Sequence, residues 1–283
     1  MDVDSRPRPD RLSGLLQRFR VEARVFHSGA IRGTLDFAAP AAGGGHLHLV
    51  GCGRVAVADE LGGRMTIDGP ALLFYPRGTA HRLMTVDGAV AVDVVCAEVF
   101  LGGAANPVVR ALPTATAMPM HASPALDGVA GVLFEEAFGR RCGRQAVLDR
   151  LCEVLVVRLL RHAIEQGAAA AGLLAGLAHP GLARALTVLH ESPGETWTLE
   201  RLAGVAGMSR TTFANTFRDV IGTTPGDYLA KWRLALARTL LAQRRPLKAV
   251  ARQVGYASPA ALSRAFSRHF GEPPRAVHRL ATS

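Results

Sequence analysis

The chain has 283 residues, 49% of them apolar, with four cysteines and a formal net charge of +10. That length anticipates two domains, and the apolar content excludes a disordered chain. The opening MDVDSRPRPD has no apolar run, and no stretch is long enough to span a bilayer. The expectation is therefore a soluble cytoplasmic protein with no signal peptide and no membrane partner.

The excess charge is concentrated. Residues 1–180 hold 18 Lys+Arg against 17 Asp+Glu, whereas residues 181–283 hold 15 against 6. A basic second part on a neutral first part suits a phosphate-backbone partner. Cys52, Cys96, Cys142 and Cys152 form no C-x-x-C pair and read as buried or neutral thiols rather than disulfide staples.

Residues 20 to about 105 read as β. Short apolar runs over 21–26, 46–50, 54–58, 71–75 and 89–97 are separated by turn signals at GGG (43–45), DELGG (59–63), PRG (76–78) and DG (87–88). Such spacing predicts a sandwich or barrel. The period then changes, and 126–138 and 145–164 carry apolar residues at helical spacing, with Leu148, Leu151, Leu155, Leu159 and Leu160 in the second run. The Ala/Gly-rich stretch 166–180 reads as a linker with some helical character. From Gly181 the pattern is all helix. One helix covers about 181–190 and stops before Ser192-Pro193-Gly194, and another follows Thr198 as N-cap.

Two stretches of this helical region repeat. LAGVAGMSRTTFANTFRDVIGTTPGDY begins at Leu202 and VARQVGYASPAALSRAFSRHFGEPPRAV at Val250. Gly207 and Gly255 match at a separation of 48, and Ser209/Ser258, Phe217/Phe266 and Gly222/Gly271 at 49. Each copy reads as helix, glycine turn, serine cap and second helix, the form of a helix-turn-helix. Phe213 and Phe217, then Leu262, Phe266 and Phe270, set one apolar face inward.

The opposite faces carry Arg210, Thr211, Ala214, Asn215 and Arg218 in the first copy. In the second they carry Pro259, Ala260, Ser263, Arg264, Ser267 and Arg268. Arginine pairs with guanine, asparagine with adenine, and small residues allow close approach, so these faces suit the major groove of double-stranded DNA. A helix from Thr224 to about Gln243 joins the copies and rises about 30 Å, close to one DNA turn. Pro225 sits at its first position, and Trp232 reads as its core. Lys231, Arg244, Arg245 and Lys248 are candidate phosphate contacts.

Over about 183–280 the chain resembles the AraC/XylS family of transcription regulators. The likeness rests on the doubled motif, on DYLAKWRLALARTLL and on VGYASPAALSRAFSRHFGEPPRAVHR. It implies promoter binding, usually activation through RNA polymerase, and an N-terminal domain that dimerises and senses a signal. Asn215-Thr216 and Pro259 depart from the family pattern, so the geometry is carried over and no base preference is.

The first domain resembles the cupin-like sensor of one branch, on His46-Leu47-His48 and Pro76-Arg77-Gly78-Thr79-Ala80-His81. Metal-binding cupins use such histidines, and His46, His48 and His81 are a candidate set for Zn²⁺ or Fe²⁺, or for a small ligand. The glutamate such cupins also use is missing after His48, and Pro70-Ala71 replaces their Gly-Asp. A redox signal through Cys96, with Cys52 as its partner, is a further candidate, because some relatives sense oxidants through thiols. Another thiol seen in some of those relatives is replaced here by Arg32.

The expected fold is α+β in two domains. A cupin-like barrel or sandwich with trailing helices over 1–166, for sensing and homodimerisation, is followed by a linker over 167–180. An all-α double helix-turn-helix occupies 181–283. The rival is a metal-dependent cupin enzyme fused to a DNA-binding domain. No nucleophile motif, phosphate loop or dinucleotide fingerprint supports it. A passive architectural DNA binder leaves the first domain unexplained.

Overall fold

The computed structural model describes residues 10–40, 43–86, 90–103, 106–167 and 171–280. The expected DG turn at 87–88 lies outside them. Contacts divide the chain into two compact units. Among the described residues, one comprises 20–40, 43–86, 90–103 and 108–163, and the other 10–19, 106–107, 164–167 and 171–280.

The first unit is a seven-stranded antiparallel sheet. Its strands are β1 (Glu22–Ile31), β2 (Thr34–Phe37), β3 (Gly45–Asp59), β4 (Arg64–Tyr75), β5 (His81–Thr85), β6 (Val92–Phe100) and β7 (Thr116–Pro119). The order is β1-β6-β3-β4-β7, with β5 pairing both β2 and β3, so the strand path is open rather than a closed barrel. Helix α3 (Pro124–Phe138) and helix α4 (Arg144–Glu165) follow, after the short α2 (Pro107–Ala111). Gln145 and Asp149 on α4 bond the carbonyl and N–H of Val25, which ties that helix to β1.

The two runs read as separate strands at 46–50 and 54–58 are one strand, β3, broken by a bulge between Val50 and Gly53. Gly53 sits at φ 125°, where a side chain is strained. The bulge changes which residues face the core. Val50 precedes it and Val55 and Val57 follow it, yet all three join one cluster with Phe37, Leu73, Tyr75, Leu83 and Cys96. Without the extra residue, strict alternation would turn Val55 and Val57 outward.

The second unit is helical. It contains α1 (Ser13–Leu16), α5 (Leu173–Ala178), α6 (Pro180–Glu191), α7 (Leu199–Ala206), α8 (Arg210–Ile221), α9 (Pro225–Ala242), α10 (Leu247–Gln253), α11 (Pro259–Phe270) and α12 (Pro274–Leu280). One expected boundary is sharpened and one is corrected. The helical character expected within the linker is the helix at 173–178, where Leu173, Leu174 and Leu177 bury an apolar face. Residues 10–19 belong with this unit rather than with the sheet. Leu15 and Phe19 are buried, and the Arg11 guanidinium donates to the Leu177 carbonyl at 2.8 Å.

Trp232 is core, as expected. The Phe19 ring meets it edge-on at 5.2 Å, and His190 stacks on it at 3.9 Å. His190 Nε2 and the Tyr228 hydroxyl are 2.6 Å apart. Burial, helped by the nearby Arg18 cation, pushes the His190 pKa down to about 3. The ordinary value of 6.5 applies when the chain is unfolded. Above about pH 6.5 neither state binds this proton, and the group adds no pH dependence. Below it the unfolded state takes up a proton that the folded state refuses. Stability is therefore expected to fall as pH drops from about 6.5 toward 3, by up to about 1.4 kcal/mol per pH unit. Urea midpoints of wild type and His190→Gln, compared between about pH 7 and 4, check this. The variant lacks that slope, and parallel curves would refute the assignment.

Candidate functional sites

In the basic unit the doubled motif forms twice. Helix α7 ends at Gly207, left-handed at φ 68°, and α8 starts from Ser209, whose hydroxyl accepts from the Thr212 N–H at 3.2 Å. Helix α10 is followed by Gly255 at φ 81°, and α11 starts from Ser258, which accepts from the Ala261 N–H at 3.1 Å. Both second helices end on left-handed glycines, Gly222 and Gly271. Inside, Phe213, Phe217, Leu262 and Phe266 are fully buried.

The faces left outward are those read from the sequence. Arg210, Thr211, Asn215 and Arg218 are exposed on α8, with Ala214 half-buried. Ala260, Arg264 and Arg268 are exposed on α11, with Pro259, Ser263 and Ser267 half-buried. Arg210 pairs with Glu200 of α7 at 3.0 Å. Lys231, Arg244, Arg245 and Lys248 are exposed. Thr224 caps the 18-residue α9, which rises about 27 Å.

In the sheet unit, register brings the three histidines together. His46 pairs with Tyr75, His48 with both Leu73 and Cys96, and His81 with both Phe37 and Asp59. All three are buried, and one nitrogen from each lies within 4.8 Å of the others. His81 is sandwiched between Tyr75 at 4.1 Å and Phe37 at 5.1 Å.

The hydrogen bonds fix the tautomers. His81 Nδ1 lies 2.8 Å from the Thr79 carbonyl, which only accepts, so Nδ1 carries the proton and Nε2 a lone pair. His48 Nε2 stands 2.7 Å from that lone pair and must donate to it. The Nδ1 atoms of His46 and His48 are buried without a partner among the described residues. Burial, together with the like-charged neighbours, lowers the His46 pKa to about 4 and holds His48 well below its ordinary value. His81 is lowered too, by burial.

Neutral imidazoles offer lone pairs, the state a metal requires. A cation held by both His48 and His81 would displace the proton they share. The bond from His81 to Thr79 is the outer-sphere contact that orients a ligating ring. The donor set therefore fits a divalent cation bound by three nitrogens, without the glutamate of other cupins.

The cysteine pairing does not survive. Val50 pairs with Val94, and Cys52 lies further along β3, away from Cys96. At about 3.3 Å per residue the two backbones are on the order of 13 Å apart, whereas a disulfide needs Cα atoms within about 7 Å. Cys96 is moreover fully buried, and burial pushes its thiol upward, away from the reactive thiolate. Cys52 is exposed.

The sequence reading missed β2, β5 and β7. Phe37 on β2 is, with Tyr75, one of the two rings that stack on His81, and only its place after the Gly33 turn marks it.

Comparison with known proteins matches two family models, one described as Cupin over residues 10–165 and one as Helix-turn-helix domain over residues 202–279. An AraC-like transcription regulator of Streptomyces antibioticus is 44% identical over 130 residues, covering 45% of this chain and 43% of that protein. The RCS-specific HTH-type transcriptional activator RclR of Escherichia coli is 33% identical over 208 residues, covering 72% of this chain and 73% of RclR. A solved AraC-type regulator of Chromobacterium violaceum is 25% identical, covering 38% of this chain and 96% of that one, with a TM-score of 0.36.

Proposed function

We propose that this chain, which belongs to the AraC-type helix-turn-helix transcription regulators with an N-terminal cupin domain, reads a two-part promoter site with α8 and α11 under control of a signal held by the sheet unit. The carrying observation is the duplicated unit of helix, left-handed glycine, serine cap and helix, with its polar faces outward in the basic part of the chain. Arg210, Thr211, Ala214, Asn215 and Arg218 contact one groove segment. Pro259, Ala260, Ser263, Arg264 and Arg268 contact the next. Lys231, Arg244, Arg245 and Lys248 hold phosphates and set affinity more than specificity. The sheet unit dimerises the protein, and RNA polymerase is the partner at the promoter. Every named relative is called a transcription regulator, which favours this reading over a cupin enzyme.

Selection of bound duplexes from fragmented genomic DNA tests the reading. Two sub-motifs about one helical turn apart are expected, and a salt-sensitive background alone would refute it. Arg264→Ala is then expected to weaken binding by about 1–3 kcal/mol and to relax one base position. Unchanged affinity with unchanged preference removes Arg264 from the contact set.

For the signal, the three-nitrogen cluster takes a divalent cation such as Zn²⁺ or Fe²⁺. When bound, the ion supplies a fixed positive charge among Phe37, Tyr75 and the histidines. Titration of the metal-free protein with Zn²⁺ is expected to give one site per chain. His48→Ala is expected to weaken it by about 100-fold, or about 2.7 kcal/mol. Equal affinity in wild type and variant would place the metal elsewhere and leave the histidines to a metal-free ligand.

A further inference from the structure

We propose that Arg233 is the positioning residue that fixes the spacing between the two recognition helices, and with it the spacing of the DNA sub-sites the protein accepts. It stands midway along α9, the helix between the two modules. Its Nε donates to the Pro193 carbonyl at 2.7 Å and its Nη2 to the Glu195 carbonyl at 2.9 Å. Its Nη1 donates to the Gly255 carbonyl at 3.4 Å. Pro193 and Glu195 belong to the loop after α6, in the first module. Gly255 is the turn of the second. One guanidinium thus joins both modules across the helix that separates them.

The backbones meet where Arg233 holds them. A Cβ on Gly255 would lie 2.9 Å from Cα and O of Gly194, and a Cβ on Gly194 would lie 3.1 Å from the Gln253 carbonyl. A side chain at Gly255 would force the two segments apart, and one at Gly194 would press on the Gln253 carbonyl, so both glycines suit the close approach. The loop is itself braced. Trp197 Nε1 donates to the Ser192 carbonyl at 2.9 Å, the Arg201 guanidinium lies 3.9 Å over the Trp197 ring, and Arg201 pairs with Glu195 at 2.7 Å. Arg233 therefore pulls on an ordered segment.

Comparison of the two copies isolates the role. Arg184 on α6 precedes Arg233 by 49 residues, the separation of the serine caps. Its Nε donates to the Val205 carbonyl at 3.0 Å and its Nη2 to that of Ala206 at 2.5 Å. Both carbonyls lie at the end of α7, so Arg184 serves its own module only. Arg233 reaches the matching turn of the second module at Gly255 and also reaches back to Pro193 and Glu195 in the first. The cross-module bonds are the addition.

Electrostatics agrees with a holding role. The three acceptors lie just beyond the C-terminal ends of α6 and α10, where helix dipoles are negative. Burial lowers the pKa of Arg233, as expected for a cation withdrawn from water. A guanidinium spent on three carbonyls is not offered to phosphate, unlike the exposed Arg264 and Arg268. Its rigid planar fork holds three acceptors in fixed directions over the width of the guanidinium, whereas a lysine ammonium is a compact point charge on a flexible stem.

The consequence is in spacing. One base pair moves a half-site by about 3.4 Å and turns it by about a tenth of a helical turn. A bracketed pair of helices cannot follow that shift, whereas a pair pivoting on α9 can.

The inference rests on the tandem reading of α8 and α11. The full chain is used to select its site from a duplex library with a random core. Affinities are then measured for that site and for versions with one base pair inserted or removed between the sub-motifs. Wild type is expected to prefer the selected spacing by about 100-fold, or about 2.7 kcal/mol. Arg233→Ala is expected to cut that ratio to below about tenfold while each sub-motif keeps its base preference, with Arg233→Lys between the two. An unchanged ratio in both variants overturns the proposal. So does an equal loss at every spacing, which a phosphate contact would give. Should Arg233→Ala not fold, the ratio for Arg233→Lys decides alone. If wild type selects no paired sub-motifs, the tandem reading itself falls, an outcome distinct from a preserved ratio.

Discussion

Gly69→Ala is expected to destabilise the sheet unit by about 3 kcal/mol, at the upper end for an overpacked site. A Cβ at Gly69 would overlap the Gly51 carbonyl oxygen and come within 3.2 Å of the Val50 carbonyl. Both obstacles are backbone, so no rotamer change relieves them. Gly69 pairs with Gly53 at the far side of the β3 bulge, and the clash is expected to push that bulge out of the sheet. For a unit of this size the loss lowers the melting transition by about 6–12 °C. Scanning calorimetry of wild type and variant measures it. Zn²⁺ titration of the folded fraction adds a second readout, because the bulge keeps His46 and His48 on the same face as Val55 and Val57. A variant that melts with the wild type would show that β3 and β4 separate freely there.

That bulge marks where the sequence stopped being legible. The apolar runs 46–50 and 54–58 were legible, but Gly51-Cys52-Gly53 between them does not say whether the chain turns or continues unless the partner strand is known. The partner β4 runs unbroken past it, and only pairing shows one continuous strand. The short strands β2, β5 and β7 were missed for the same reason, since four or five residues carry too little periodicity without a neighbour. The histidines were legible as types at a spacing, because His46 and His48 share a strand face and His81 follows the Pro-Arg-Gly turn. Their convergence within 4.8 Å depends on β5 pairing with the second half of β3, which the sequence does not state. The helical unit was easier. Its serine caps, left-handed glycines and phenylalanines act within a few residues of one another, so local chemistry sufficed. What escaped there is again long-range, namely the docking of residues 10–19 and the reach of Arg233.

The duplication makes the final expectation a paired one. Phe217 and Phe266 occupy matching places, 49 residues apart, and both are fully buried beneath a recognition helix. Phe217 packs on Phe213 at 5.6 Å and on Tyr228 at 5.7 Å, and Phe266 on Phe270 at 4.6 Å within the cluster of Leu240, Leu241, Val250 and Val254. Truncating either to alanine removes a ring and leaves a cavity, at a cost of about 3–5 kcal/mol. Two such changes of equal chemistry should separate in their effect on DNA. Phe217→Ala loosens α8 and is expected to erase the first sub-motif from the selected sequences while the second persists. Phe266→Ala loosens α11 and does the reverse. Urea unfolding gives the stabilities, and duplex selection with each folded variant gives the motifs. Loss of both sub-motifs in each variant would mean that the modules fold as one cooperative body. Loss of the same sub-motif in both would mean that one helix alone reads DNA, and the duplicated face of the other would then be a solvated surface.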